Sequence, residues 1–166
     1  MTFVDHAPDR HSGHHYGALA LFLILTLAVG GAAGYATAPE IAGWYATLHR
    51  PSFAPPNGVF APVWTTLYVL MGIAAWRVWR VTGLGSRALL LFFVQLALNF
   101  AWSFLFFRYH RIDAALAEIV VLLLFIVWTA AAFARRDRIA GVLFVPYIAW
   151  VAFATALNAS FWALNR

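Results

Sequence analysis

The chain contains no cysteine and no lysine, and only six of its 166 residues are acidic. Without cysteine there are no disulfides, no thiolate metal sites and no cysteine nucleophile. Charged residues make up 10% of the chain, against roughly 25% in an ordinary soluble domain, and that class is excluded. At 17% aromatic residues, the chain is also too rich for a disordered polypeptide. No HExxH, GxSxG, phosphate-cradling GxxxxGKS or paired Glu-x-x-His pattern occurs, so no catalytic residue is assigned. No histidine lies inside an apolar block, which removes the commonest axial ligand of haem iron. His6, His11, His14 and His15 cluster near the N-terminus without a partner that fixes their geometry, and no metal site is expected.

What is abundant is apolar: 64% of the residues. They fall into five blocks, Gly17–Ala38, Phe60–Val81, Ala88–Phe107, Ile112–Ala134 and Ile139–Leu164. Each is near the ~20 residues a helix needs to cross ~30 Å of hydrocarbon. None shows the in–out alternation of a barrel strand, and a backbone in lipid must satisfy its own hydrogen bonds, so the blocks predict helices. The fold class is therefore an all-α integral membrane bundle of five transmembrane helices. Residues 1–16 read as a mobile polar tail and 17–166 as a single membrane domain. Ala36-Thr37-Ala38 resembles a small-residue cleavage site, but the preceding apolar stretch exceeds the 7–15 residues of a signal sequence, and a retained helix is expected.

Three links are short (Thr82–Arg87, Arg108–Arg111, Arg135–Arg138), which makes the helices they join antiparallel neighbours. The link Pro39–Val59 is long and carries Trp44, Tyr45, Pro51, Phe53, Pro55 and Pro56, as a functional lid does. Seven arginines lie on the side of the tail and four on the other, a small margin by which the positive-inside rule favours a cytoplasmic N-terminus, with dual or inverted insertion as the alternatives; a bacterial cell membrane is the expected location. Arginines flanking apolar blocks anchor lipid head groups, and nucleic acid is not expected as a partner.

Polar residues inside the blocks are few and patterned. Trp64, Tyr68 and Met71 recur at helical spacing on the second helix, Gln95, Asn99, Trp102 and Phe106 on the third, and Tyr147, Trp150, Ala154 and Asn158 on the fifth. Amides cost too much to face lipid, so these stripes turn inward. They describe either an aromatic small-molecule cavity with sparse polar anchors or ordinary helix packing. Trp79, Trp128 and Trp162 fit an interfacial belt. Glu118, about two turns into the fourth helix, is either a functional intramembrane carboxyl or one that snorkels toward Arg111 or His110.

From Trp44 onward the sequence resembles the translocator protein family, TspO/MBR, also called tryptophan-rich sensory proteins or peripheral-type benzodiazepine receptors. The resemblance rests on Trp44-Tyr45-x-x-Leu48-x-Arg50-Pro51, Pro55-Pro56-x-x-Val59-Phe60-x-Pro62-Val63-Trp64-Thr65-x-Leu67-Tyr68, Gln95-Leu96-x-Leu98-Asn99-x-x-Trp102-Ser103 and Val145-Pro146-Tyr147-x-x-Trp150-x-x-Phe153-Ala154-x-x-Leu157-Asn158. It implies a five-helix bundle, often a homodimer, that binds porphyrins and benzodiazepine- or isoquinoline-type ligands beneath the first loop. The implied ligand-binding positions are Trp44, Tyr45, Pro55, Trp64, Tyr68, Gln95, Asn99, Trp102, Trp150 and Ala154, with Arg50 placed to reach a porphyrin propionate. Phe53 and Gly58 stand where the family often has tryptophan, which implies a looser lid. The end of the fifth helix lacks the tyrosine and basic residue of the animal cholesterol motif, which argues against steroid binding.

Three functions are compatible with these residues. The first is a membrane receptor or regulator of tetrapyrroles, with porphyrin as ligand, no required cofactor, and the light-dependent porphyrin breakdown of some family members. The second is a transporter or exporter of the same ligands. The third is a scaffold that dimerises through Gly30-x-x-x-Gly34 on the first helix.

Overall fold

The computed structural model describes residues 10–166, with side chains from His15 onward. Helix α1 (Arg10–Ala42) leads into a four-residue helix α2 (Trp44–Thr47), a 3-10 turn (Asn57–Val59) and α3 (Phe60–Thr82). Then come α4 (Arg87–Ser103), a π-helical turn (Phe104–Arg108), α5 (Ile112–Ala134), the short α6 (Arg138–Val142) and α7 (Val145–Leu164). Five stretches are long and apolar enough to cross a bilayer: His15–Ala42, Asn57–Thr82, Arg87–Arg108, Ile112–Ala134 and Arg138–Leu164. There is no strand among the described residues.

Several boundaries differ from those expected. Helix α1 already begins at Arg10, inside the stretch read as a mobile tail, and residues 1–9 lie outside the described residues. It also continues past Pro39, because a proline removes only one backbone donor, and the Gly43 amide closes the last turn on the Pro39 carbonyl at 3.3 Å. The fifth block is broken at Leu143–Phe144, since Pro146 has no N–H for the carbonyl of Val142. Helix starts follow local chemistry: Ser86 accepts from the Leu89 amide and Asp137 from the Ala140 amide. Gly83 ends α3 in the left-handed region at φ 71°, where a side chain would be strained.

The helices close into a ring. Helix α1 packs on α3 and α4, α4 on α5, and α5 on α7. The rings of Trp64 and Tyr147 meet edge-on at 6.2 Å to complete the circuit between α3 and α7. Lipid tails provide no hydrophobic drive between helices, so close approach of small residues matters. Gly72 of α3 accordingly lies against the backbone of Phe22, and Ala74 and Ala75 are fully buried. At one end, Arg77 of α3 clasps Asp137 at 2.8 Å. Burial alone would raise the Asp137 carboxyl, but the hydrogen bonds from Arg77 and the Ala140 amide outweigh it and hold it below the usual carboxylate range. At the other end the long loop folds back as a lid. Asn165, beyond α7, accepts from the His49 amide at 2.9 Å and donates to its carbonyl at 3.0 Å.

Gly30, expected on a dimerisation face, is half-buried and close-packed against α3 of its own chain. A Cβ there would run into the ring of Tyr68 on α3, so the glycine makes room within the chain. Gly34 meets no neighbouring atom and, with Gly30, lines an internal cavity. Tyr68 is buried and hydrogen-bonded, so it cannot step aside cheaply. Gly30→Ala should therefore destabilise the detergent-solubilised protein by about 1–3 kcal/mol, the usual cost of overpacking. Gly31→Ala, which enters open space, should leave the thermal unfolding midpoint unchanged or raise it.

Candidate functional site: an aromatic cavity beneath the lid

The inward stripes of α3, α4 and α7 enclose a cavity of about 400 Å³, completed by α1 and roofed by the lid. That volume lies in the range of small-molecule sites. Trp64 and Tyr68 stand on one wall with ring centroids 5.7 Å apart, and Trp102 and Phe106 stack on another at 5.4 Å. Trp150 forms a third with Phe60, edge-on at 5.8 Å. The π-helical turn matters here: its wider winding turns both Phe106 and Phe107 toward the cavity, and π-bulges recur at functional sites. Residues of the lining that remain exposed (Leu27, Gly31 and Gly34 on α1, Ala61 and Thr65 on α3) mark the open side between those two helices.

The floor is polar and internally satisfied. The Tyr68 hydroxyl donates to Asn99 Oδ1 at 2.5 Å, and Asn99 Nδ2 donates to the Tyr147 hydroxyl at 2.9 Å. Tyr147 donates in turn to Gln95 Oε1 at 3.0 Å, and Gln95 ends the chain on Met71 Sδ at 3.8 Å. Higher up, Trp102 Nε1 donates to Asn158 Oδ1 at 3.1 Å, while Asn158 Nδ2 reaches the Ile112 carbonyl at 3.0 Å. The indole N–H of Trp150 is enclosed and has no hydrogen-bond partner among the described residues.

Of the positions expected to bind ligand, Tyr45, Trp64, Tyr68, Asn99, Trp102, Trp150 and Ala154 line the cavity. Gln95 lies beneath it, fully buried in the floor network. Pro55 faces an outer groove between α3 and α7 instead, with Trp150 as the wall shared by groove and cavity. Trp44 is outside the lining and packs on Phe106 and His110. Arg50 is a brace of the lid: it donates to Asn57 Oδ1 at 3.1 Å and to the Pro55 carbonyl at 3.0 Å, and lies 5.4 Å from the Tyr45 ring centre. Burial raises the Tyr45 hydroxyl pKa, and Arg50 partly offsets this.

Sequence reasoning missed the contribution of α1, where Ala33, Thr37 and the glycines supply lining by having little side chain. Trp79, expected in the interfacial belt, is half-buried near the end of α3. It packs on Phe22 at 6.3 Å and beside His15, whereas Trp128 is 60% exposed. Glu118 does not snorkel to Arg111 or His110, which pair with Asp113 and Glu40. Its two carboxyl oxygens are enclosed without a hydrogen-bond partner. Among the described residues no group of three metal-ligating side chains comes together.

This order of an aromatic, proline-rich lid and amide-bearing third and fifth spanning helices has known counterparts. Residues 22–163 match the TspO/MBR family. The chain belongs to that family. It is 44% identical to the tryptophan-rich protein TspO of Chlorobaculum tepidum, over 89% of this chain and 95% of that one. With the tryptophan-rich sensory protein of Cereibacter sphaeroides the identity is 42%, over 88% and 92% of the two chains. The human translocator protein is 38% identical over 74% of this chain and 75% of its own. Family membership and the five spanning helices make this an integral membrane protein of the TspO/MBR type.

The floor network carries a stability prediction. Tyr147→Phe removes the hydroxyl that links Asn99 to Gln95 and leaves the buried Gln95 carbonyl oxygen unpaired. It should cost about 1–3 kcal/mol, read as a lower unfolding midpoint in detergent. Thr155→Val, which removes only a local bond to the Val151 carbonyl, should cost clearly less.

Proposed function

We propose that the protein is a membrane receptor or regulator that holds tetrapyrroles, and synthetic benzodiazepine- or isoquinoline-type ligands, in this cavity. The observation that carries the reading is the three-sided aromatic wall of Trp64, Tyr68, Trp102, Phe106 and Trp150 around a space of about 400 Å³. Flat, largely apolar molecules gain most from such rings by offset stacking and edge contacts. The family names of its relatives, sensory and translocator proteins, agree with a ligand-responsive role. Because Arg50 is engaged within the lid, a propionate has to compete with the Asn57 and Pro55 oxygens for it.

Light-dependent breakdown is the finer part of the proposal. An excited porphyrin against Trp64 and Trp150 would generate reactive oxygen beside oxidisable indoles, with no acid–base pair required. Export of the same ligands is the alternative, and flux in sealed vesicles separates it from sensing.

Titration with protoporphyrin IX, followed by tryptophan quenching, tests the reading. Trp64→Ala should weaken binding by about 2 kcal/mol or more, the loss expected when a buried aromatic anchor is truncated. Trp128→Ala, on the exposed side of α5, should change nothing. Equal effects would remove the cavity from the account. For the photochemistry, replacing Trp64 and Trp150 with phenylalanine should largely keep binding while slowing light-driven loss of porphyrin absorbance. Saturated wild-type protein that leaves the decay rate unchanged would defeat the degradation part alone.

A further inference from the structure

We propose that His110, Glu40 and Trp44 form a proton-operated latch that holds the lid over the cavity. The inference rests on the ligand-binding reading above, since it assigns a regulation to that same site. The three residues come from separate parts of the chain. Glu40 lies in the last turn of α1, Trp44 opens the lid as the first residue of α2, and His110 sits in the link between the π-helical turn and α5.

Their geometry is specific. His110 Nε2 is 2.9 Å from Glu40 Oε2. The imidazole lies flat on the Trp44 indole, with centroids 4.2 Å apart and planes inclined by 15°. Trp44 also meets Phe106 edge-on at 5.7 Å, and Phe106 lines the cavity. His110 adopts φ 55°, the sparsely populated left-handed region. A non-glycine residue stays there only where its surroundings hold it.

Histidine is the side chain whose charge changes across ordinary pH, between about 5 and 8. With the ring protonated, the contact to Glu40 is a full ion pair and the stack on Trp44 becomes a cation–π contact. With the ring neutral, one ordinary hydrogen bond and a neutral stack remain. The sign follows: the latch is tight while the ring is charged and loosens once it is neutral. Glu40 also has a second partner ready. Arg108 Nη1 stands 3.9 Å from its other carboxylate oxygen and keeps its charge at every relevant pH. When His110 becomes neutral, Arg108 competes for Glu40 without offering a surface to Trp44. Arg111 of the same link is paired at 2.9 Å with Asp113 in the first turn of α5. On the lid itself Arg50 is bound to Asn57 and Pro55, and the other titratable side chains are His49 and Tyr45, the latter packed on Phe106 at 6.3 Å.

Because the chain has no cysteine, a single Ser52→Cys substitution on the exposed lid places one spin label there. The label reports lid motion without any ligand. In the full-length protein its spectrum should be ordered at pH 5.5 and distinctly more mobile at pH 8. His110→Gln, which keeps a polar side chain but cannot take a charge, should be mobile at both pH values, and His49→Gln should retain the wild-type response. Glu40→Gln should flatten the response as well. In parallel, release of protoporphyrin IX should be several-fold faster at pH 8 than at pH 5.5 in the wild type and insensitive to pH in His110→Gln. A wild-type label that ignores pH, or a His110→Gln label that still follows it, overturns the latch. If the label responds as expected while protoporphyrin fails to bind at either pH, the latch stands and the ligand reading falls.

Discussion

The hydrogen-bond chain from Tyr68 through Asn99 and Tyr147 to Gln95 is the constraint on which the rest of the bundle depends. These polar side chains from three helices sit where water does not reach, and each would be costly without a partner. Because each answers another, α3, α4 and α7 have one register in which all are satisfied. That register sets which residues stand above the network. Trp64, Trp102 and Trp150 each lie within a turn or two of a network member on their own helix, so fixing the floor also fixes the walls.

Helix α1 adapts to this arrangement rather than helping to define it. Its polar side chains in the spanning stretch, Thr26 and Thr37, return their hydroxyls to their own backbone at Phe22 and Ala33. Its glycines leave space for the Tyr68 ring and for the cavity. Between its ends, where the Trp76 indole donates to the His15 carbonyl at 2.8 Å and Glu40 meets His110 at 2.9 Å, the helix is held by close fit and not by hydrogen bonds to its neighbours. The open side of the cavity lies beside it.

The five spans and the three inward stripes were legible because each rests on a strong local rule: the length of an apolar run, and the cost of amides in lipid. Gln95 and Tyr147 were correctly turned inward, but spacing alone could not separate a floor residue from a lining one, since both point the same way. The bracing role of Arg50 was not legible because a free arginine and a bracing one look alike until the lid has folded and brought Asn57 and the Pro55 carbonyl within reach. The lining from α1 left no signal at all. It consists of residues with little or no side chain, which in sequence look the same as the small residues of any membrane helix. The Glu40–His110 pair joins residues 70 apart through two link geometries, one of them a left-handed histidine, and no local pattern encodes it.

The way polar groups are already spent shapes what this cavity can discriminate. Asn99 and Asn158 each use both ends of the amide within the chain, and Trp102 gives its indole N–H to Asn158. The hydroxyls of Thr37 and Thr65 bond to their own helix. What the cavity presents to an occupant is mainly ring faces and edges, with the Trp150 N–H as an enclosed donor without a partner among the described residues. Sites that bury unpaired polar groups reject a wrong ligand strongly, because the mismatch strands those groups; apolar sites separate ligands by shape and only weakly by chemistry. A cavity of this make-up therefore suits a class of flat molecules better than a single member of it. Under the proposed ligand reading, selectivity then has to come from the lid, the part of the site that carries charge.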